Sequence, residues 1–124
     1  MGIRTERVAR LLQREIADIF QNELAQDFQP MVTVTGVRVT KDLSIAYVHV
    51  SILADSLPQR QTAFARVQER APQVRQALAA RIRHQVRAIP EVRFFLDESI
   101  QEARQMDDLF DRIRAERERR AAEE

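Results

Sequence analysis

The sequence contains no cysteine, which excludes disulfide bonds, thiol catalysis and cysteine-ligated zinc sites. Its only glycines are Gly2 and Gly36, too few for a P-loop, a dinucleotide-binding fingerprint or the GxxG loop of some nucleic-acid-binding domains. His49 and His84 lie far apart and show no metal-ligand spacing, so we expect neither a metal nor a cofactor.

The chain also lacks any apolar run of about 18 residues, so no transmembrane helix is expected. The segment from Met1 to Arg7 is followed by mixed charges and has no apolar core of the signal-peptide type. We therefore expect a cytoplasmic protein that neither enters a membrane nor binds a small-molecule substrate.

The 124 residues suit a single domain with a modest core, since 44% of them are apolar and 31% are charged. The net charge of +1 hides an uneven distribution. Residues 56–97 hold eight basic and three acidic side chains, whereas residues 98–124 hold six and nine. Lys41 is the only lysine. Arginine grips phosphate with a two-pronged fork, but a GC-rich genome would also favour arginine codons everywhere.

The first half of the chain predicts one helix and one β-hairpin. A helix over roughly residues 5–25 is indicated by apolar side chains at three- and four-residue spacing, namely Val8, Leu11, Leu12, Ile16, Ile19, Phe20 and Leu24. Strands follow at residues 31–39 and 45–53, joined by a short turn. Gly36 predicts a bulge, after which the inward face changes from Val32 and Val34 to Val37 and Val39. Tyr47, His49 and Ser51 are expected on the outer face of the hairpin, where the first two pack or pair across the sheet.

The second half predicts a broken helix, a strand and a last helix. Proline inside a helix costs about 3 kcal/mol or more, so Pro72 divides one apolar stripe into helices of about residues 58–70 and 72–87 with a kink at Ala71 and Pro72. A third strand is predicted at residues 91–97. The final helix has an apolar face made of Ile100, Met106, Leu109, Phe110 and Ile113.

This order of elements, α-β-β-α-kink-α-β-α, predicts an α+β fold in which helices back one face of a three-stranded antiparallel or mixed sheet. We expect residues 1–113 to form the domain. Residues 114–124 contain only alanine, arginine and glutamate, and we expect them to be disordered or a frayed helix.

The helix after Pro72 carries the strongest functional signal. Between residues 72 and 93 there are five arginines and one acid, Glu91. A positive face of this kind is typical of phosphate binding, and the helix start would add free backbone N–H groups. We predict that RNA contacts Arg75, Arg81, Arg83, His84 and Arg87. The face lacks the interleaved aromatics of a base-stacking platform, and an ordinary solvated helix face is the alternative.

The first helix carries a second basic row, which includes Arg7, Arg10 and Arg14. We predict these three as further RNA contacts. Glu6, Glu15 and Asp18 dilute the row, so surface salt bridges are the alternative.

Several motifs resemble those of the ribosome-binding factor A family over roughly residues 3–113. They are QREIADI at residues 13–19, VTVTGV at 32–37, TKDL at 40–43, AYVHVS at 46–51, RQAL at 75–78, IPEVRFFLDES at 89–99 and MDDL at 106–109. The segment at 89–99 is the most specific of them.

The resemblance implies a type II KH-like fold in which a helical kink replaces the GxxG loop. The family's kink commonly reads Ala-x-Gly, and the matching residues here are Ala71, Pro72 and Gln73. The resemblance further implies binding to the small (30S) ribosomal subunit and its 16S rRNA, help in late maturation of the rRNA end, and a role in cold adaptation.

Our main hypothesis is therefore a monomeric, non-enzymatic ribosome assembly factor. A second hypothesis is a protein-interaction module that docks an acidic partner through the same arginine-rich helix. A nuclease is the weakest hypothesis, because the acids that would hold its metal ions are dispersed along the chain.

Overall fold

The structure, a computed structural model, describes residues 3–24 and 32–123. Its elements are α1 (Ile3–Asp18), a π-helical turn (Ile19–Glu23), β1 (Val32–Val39), β2 (Ile45–Ile52), α2 (Leu57–Glu69), α3 (Ala71–Ile82), β3 (Glu91–Leu96) and α4 (Ser99–Glu123). Met31, the predicted start of the first strand, lies outside the described residues.

The three strands form one mixed sheet in the order β1-β2-β3. The β1–β2 hairpin is antiparallel, whereas β3 pairs with β2 in parallel after the crossover through α2 and α3. A parallel partner requires a long connection between the two strands, and the helix pair supplies it. The predicted α+β class and element order are confirmed.

The bulge predicted at Gly36 is present in the register of the hairpin. Val34 pairs with Val50 while Gly36 pairs with His49, so Thr35 is the extra residue. The inward positions change as expected from Val34 to Val39, both of which are buried. No left-handed backbone angle and no close neighbour require a glycine at position 36, since a Cβ there would meet no atom within 4 Å.

The core lies between one face of the sheet and the helices α1, α2 and α3. Each helix buries one side, as Leu12, Val67 and Leu78 are fully inaccessible. The rings of Phe20 and Phe94 pack with centroids 5.8 Å apart, joining the π-helical turn to β3. The opposite face of the sheet lies away from this core and remains partly open to solvent.

The kink is confirmed, and it begins at Arg70, between the end of α2 and the start of α3 at Ala71. Pro72 lies in the first turn of α3, where its missing N–H removes no helical hydrogen bond. The start of α2 is fixed by a capping box, in which Ser56 Oγ accepts from the Gln59 N–H and Gln59 Oε1 accepts from the Ser56 N–H.

One predicted helix boundary is wrong, and the first helix changes type before it ends. α3 ends at Ile82 rather than at residue 87, because the chain then turns to pack Val86 and Ile89 against the core and to bury Pro90 before β3. The regular α1 ends at Asp18, and a π-helical turn continues it, with the Leu24 N–H bonded to the Ile19 carbonyl at 3.0 Å.

α4 differs from the other helices because none of its residues is buried. Its predicted apolar face is intact as a stripe but lies exposed, from 38% at Ile113 to 54% at Phe110. The extension beyond residue 113 is helical as far as Glu123.

Candidate nucleic-acid interface

The outer side of α1 presents exposed arginines at helical spacing. Arg7 and Arg10 form no hydrogen bond or ion pair with any residue that the structure describes. Arg14 approaches Glu15 only at 3.8 Å, and its side chain is 75% exposed. These guanidinium groups are therefore accessible to an external anion.

The segment that follows α3 continues this exposed cationic surface. Arg83 and His84 lie in a turn closed by the Gln85 N–H, which donates to the Ile82 carbonyl at 2.8 Å. Both side chains and that of Arg87 are exposed and have no polar partner among residues 3–24 and 32–123. Because α3 ends at Ile82, Arg83 and Arg87 do not lie on a continuous face of the helix that was predicted to extend to residue 87.

Arg81 is a clear exception and corrects one part of the prediction. Its guanidinium donates from Nη1 to Asp18 at 2.5 Å and to Glu15 at 3.3 Å, and from Nη2 to Glu23 at 2.9 Å. Only 23% of its side chain is exposed. Arg81 therefore joins α3 to α1 and the π-helical turn, and its donors are not directed at an external ligand.

The ion cluster around Arg81 also shifts the pKa values of Arg81 and Asp18. The hydrogen bonds with Glu23 and then Asp18 raise the pKa of the Arg81 guanidinium. The hydrogen bond from Arg81 lowers the pKa of the Asp18 carboxyl. Three carboxylates surround one guanidinium, so this end of α1 is locally negative and bounds the exposed cationic surface.

Arg75 occupies an intermediate position. It is exposed, but its Nη2 donates to the Ile89 carbonyl at 3.1 Å and its Nε to the Pro90 carbonyl at 3.3 Å. Carbonyl partners hold the side chain without neutralising it. The charge thus remains available at the surface, while the guanidinium also supports the chain just before β3.

A groove with a volume of about 380 Å³ connects the N-terminal end of α1 with the segment after α3. Arg4, Lys41 and Arg87 contribute cations to its lining, and Asp42 contributes a carboxylate. Hydrogen bonds from Thr40 and then Ser44 lower the pKa of Asp42 to about 2. Sequence spacing missed Arg4 and Lys41 as neighbours of Arg87, because each comes from a different element.

These contacts define the arrangement of the cationic surface. Arg81 touches the C-terminal part of α1, whereas Arg87 shares a groove with Arg4 at its N-terminal end. The chain from 81 to 87 therefore runs alongside α1. We use the name α1–α3 face for the exposed side chains of Arg4, Arg7, Arg10, Arg14, Lys41, Arg75, Arg83, His84 and Arg87.

The remaining predicted residues are those of the kink. Ala71 is half-buried, while Pro72 and Gln73 are exposed at the start of α3. Within the described ranges, no group of three histidine or acidic side chains is arranged to hold a metal ion. In the same part of the chain, every helix is too short or too polar to span a lipid bilayer.

The fold and this face together define a small α+β domain with a three-stranded mixed sheet and an arginine-rich surface. The sequence model of ribosome-binding factor A matches residues 4–110. The chain therefore belongs to the ribosome-binding factor A family.

Similar proteins agree with this assignment. The chain is 47% identical to ribosome-binding factor A of Chlorobium phaeobacteroides strain BS1 over 107 residues, covering 86% of this chain and 90% of that protein. It is 41% identical to the Chlorobaculum tepidum protein of the same name over 117 residues, covering 94% and 96%. The crystal structure of ribosome-binding factor A from Thermus thermophilus shares the fold, with a TM-score of 0.63, 24% identity and coverage of 77% and 97%.

Proposed function

We propose that this protein binds the small ribosomal subunit through its 16S rRNA, and that the α1–α3 face makes the contact. The supporting observation is that Arg7, Arg10, Arg83 and Arg87 are exposed and carry no internal partner among the described residues. Uncommitted arginines are suited to phosphate, because the guanidinium fork matches two phosphate oxygens at once. Family membership supplies the ribosome as the source of that phosphate.

A structural relative supports the same partner. For the Thermus thermophilus ribosome-binding factor A, coordinates have been fitted into a cryo-electron microscopy map of a 30S–RbfA complex. That protein is 23% identical to this chain, with a TM-score of 0.55, so this similarity shows a shared fold and nothing more. We extend the partner to this chain on the strength of the family assignment.

We infer that the protein acts without catalysis, as a cytoplasmic monomer that assists late maturation of the rRNA end and supports growth in the cold. The carboxylates of Glu15, Asp18 and Glu23 are gathered at one place, but all three are held by Arg81. This engagement leaves them poorly suited to bind a catalytic metal ion, which supports a binding role.

The proposed mode of binding is recognition of the rRNA backbone rather than of base sequence. Arginines spread over α1, the turn after α3 and the adjacent groove would neutralise several phosphates of one folded RNA surface. Ala71, Pro72 and Gln73 would replace a GxxG loop as the turn that brings the start of α3 to the RNA. Arg81 contributes indirectly, because it holds α3 against α1.

The test compares two triple variants in binding to precursor small subunits. Arg10→Ala, Arg83→Ala and Arg87→Ala together remove three cations from the α1–α3 face. Arg112→Ala, Arg119→Ala and Arg120→Ala together remove the same charge from exposed positions of α4. We expect only the first variant to bind more weakly, and its slope of log affinity against log salt to fall by about 1 for each phosphate that is no longer neutralised. Equal weakening by both variants would show a general charge effect and would reject the α1–α3 face.

The alternative function, docking of an acidic protein partner through the same arginines, is separated by the ligand. Parent protein immobilised on a support is exposed to subunits before and after complete digestion with ribonuclease. Loss of all binding after digestion supports the rRNA contact. Retention of a ribosomal protein that depends on Arg83 and Arg87 would favour the docking role instead.

A further inference from the structure

The face of the sheet opposite α1, α2 and α3 carries a cluster of three rings from two strands. Tyr47 and Phe95 have ring centroids 5.7 Å apart, and His49 and Phe95 stack at 5.6 Å with planes 29° apart. Phe95 is 45% exposed, and Tyr47 and His49 are half-buried. The parallel pairing places Phe95 directly beside His49, so these rings form a continuous aromatic surface.

Two arginines flank this surface. The strand register aligns Arg38 of β1, Tyr47 of β2 and Arg93 of β3 in one row across the sheet. Arg38 is exposed and has no polar partner among the residues described. Arg93 pairs with Glu91 at 3.2 Å, but both side chains are about half exposed, and exposed pairs of this kind are weak. Both guanidinium groups are therefore available to an external phosphate.

The next row of the same face is open on one side. Gly36 lies across from His49, and a Cβ placed on Gly36 would meet no atom within 4 Å. Gly36 itself therefore adds no side chain beside His49, although the hydroxyl of the neighbouring Thr35 donates to the His49 carbonyl at 3.2 Å. The open space at Gly36 lets a flat group approach the ring surface there.

The acids of this face are already engaged. Asp97 accepts from Thr35 Oγ1 at 2.7 Å and from the Ser99 N–H at 2.9 Å. Glu91 accepts from Arg93. Neither carboxylate forms an ion pair with Arg38, so the cation beside Tyr47 on the β1 side is not compensated.

We propose that this surface, made of Arg38, Tyr47, His49, Arg93 and Phe95 and here called the ring platform, binds bases of single-stranded RNA by stacking. Aromatic side chains on an open sheet are suited to unpaired bases, because every base has a flat face, while flanking arginines hold the adjoining phosphates. Bases within a duplex are already stacked and cannot lie on the rings. The platform therefore selects single strands, whereas the α1–α3 face recognises RNA backbone. The inference rests on the proposed function only in taking RNA as the ligand.

The sequence provides a direct probe of this site. Tyr47 is the only tyrosine in the chain, so its ring protons give one identifiable set of NMR signals. The full-length protein is titrated with a short oligouridylate, with an abasic oligomer of the same length, and with a blunt duplex RNA. We expect the oligouridylate to shift the Tyr47 signals upfield through the ring currents of stacked bases. The abasic oligomer and the duplex should leave them in place.

A pair of matched variants measures the contribution of the platform. Phe95→Ala removes an exposed ring from it, and Phe110→Ala removes a similarly exposed ring from α4. We expect Phe95→Ala to weaken oligouridylate binding by about tenfold, in line with the loss of one stacked base. Phe110→Ala should bind like the parent. Thermal unfolding of both variants verifies that each remains folded.

Three results would overturn the ring platform. The first is an equal shift of the Tyr47 signals with the abasic oligomer, and the second is an unchanged oligouridylate affinity in Phe95→Ala. The third is a shift of the Tyr47 signals on addition of ribosomal protein free of RNA but not on addition of the oligouridylate, which would assign the surface to a protein partner. The proposed function is tested independently of the platform. The triple variant at Arg10, Arg83 and Arg87 tests subunit binding and leaves the residues of the platform unchanged. Subunit binding without a Tyr47 response to single strands rejects the platform alone.

Discussion

Arg60 Nε donates to Glu98 Oε1 at 2.9 Å, and this ion pair joins α2 to the segment between β3 and α4. The Arg60 side chain is only 9% exposed, and its Nη1 also donates to the Ala54 carbonyl at 2.8 Å. Arginine side chains are rarely so deeply buried unless they are paired. Its hydrogen bonds fasten α2 to the segments that follow β2 and β3.

Replacing Arg60 with methionine should therefore destabilise the fold. Breaking a buried ion pair typically lowers the free energy of unfolding by about 3–5 kcal/mol. The decrease here should be somewhat smaller, because Glu98 retains partial access to water. Arg66→Met, at an exposed position of the same helix, is the control and should change stability little. Denaturant unfolding measures both. Equal midpoints for parent and Arg60→Met would show that the pair contributes nothing.

Arg81 and Arg83 are two positions apart, yet their substitutions should have opposite signatures. Arg81→Ala removes the partner of Glu15, Asp18 and Glu23 and should lower stability by about 1 kcal/mol, a value discounted for partial exposure. Arg83→Ala should leave stability unchanged and weaken subunit binding. Thermal unfolding and a subunit binding assay, run on the same two proteins, resolve the difference. If Arg81→Ala is as stable as the parent but binds subunits weakly, Arg81 contacts the RNA directly.

Stability should also fall in acid, and Asp42 should account for part of this fall. Its pKa is lowered from 3.8 to about 2 in the folded chain by hydrogen bonds from Thr40 and Ser44. A carboxyl with a depressed folded pKa stabilises the fold above its unfolded value, and this contribution is lost as pH falls from about 4 towards 2. Between pH about 4 and 2, the Asp42→Asn variant should therefore lose less stability than the parent protein. Thermal unfolding as a function of pH measures it, and parallel curves for the two proteins would contradict the assignment.

Gly36→Ala should be tolerated and should stabilise the protein slightly. The position has no left-handed backbone angle, and the added methyl group meets no atom within 4 Å. Alanine restricts the unfolded chain, which is worth about 0.4–1 kcal/mol at compatible sites. A rise of a few degrees in Tm is expected. A marked fall in Tm would show that the bulge requires glycine for a reason beyond local sterics.

Local sequence patterns predicted most of the fold. The alternation in β2, the change of inward face at Gly36 and the break caused by Pro72 each depend on chemistry within a few residues, and each is confirmed. The end of α3 was predicted wrongly because no glycine or proline marks Ile82. The packing of Val86 and Ile89 against the core decides that boundary, and such packing is not encoded in a local pattern.

The candidate site was less predictable because its geometry depends on distant partners. Arg81 was predicted to contact RNA, but the carboxylates that it binds lie 58 to 66 positions away along the chain. The ring platform was missed for a similar reason. Tyr47 and Phe95 are far apart in sequence, and only the parallel pairing of β2 with β3 brings their rings together.

That parallel pairing has a consequence for how the chain folds. The β1–β2 hairpin closes over a turn of a few residues, whereas β3 joins β2 only after the whole α2–α3 connection has been ordered. Closing the longer loop costs more chain entropy before any favourable interaction offsets it. We therefore expect the hairpin to form early and β3 to dock late, so that Tyr47 acquires its aromatic neighbour only in the last stage of folding.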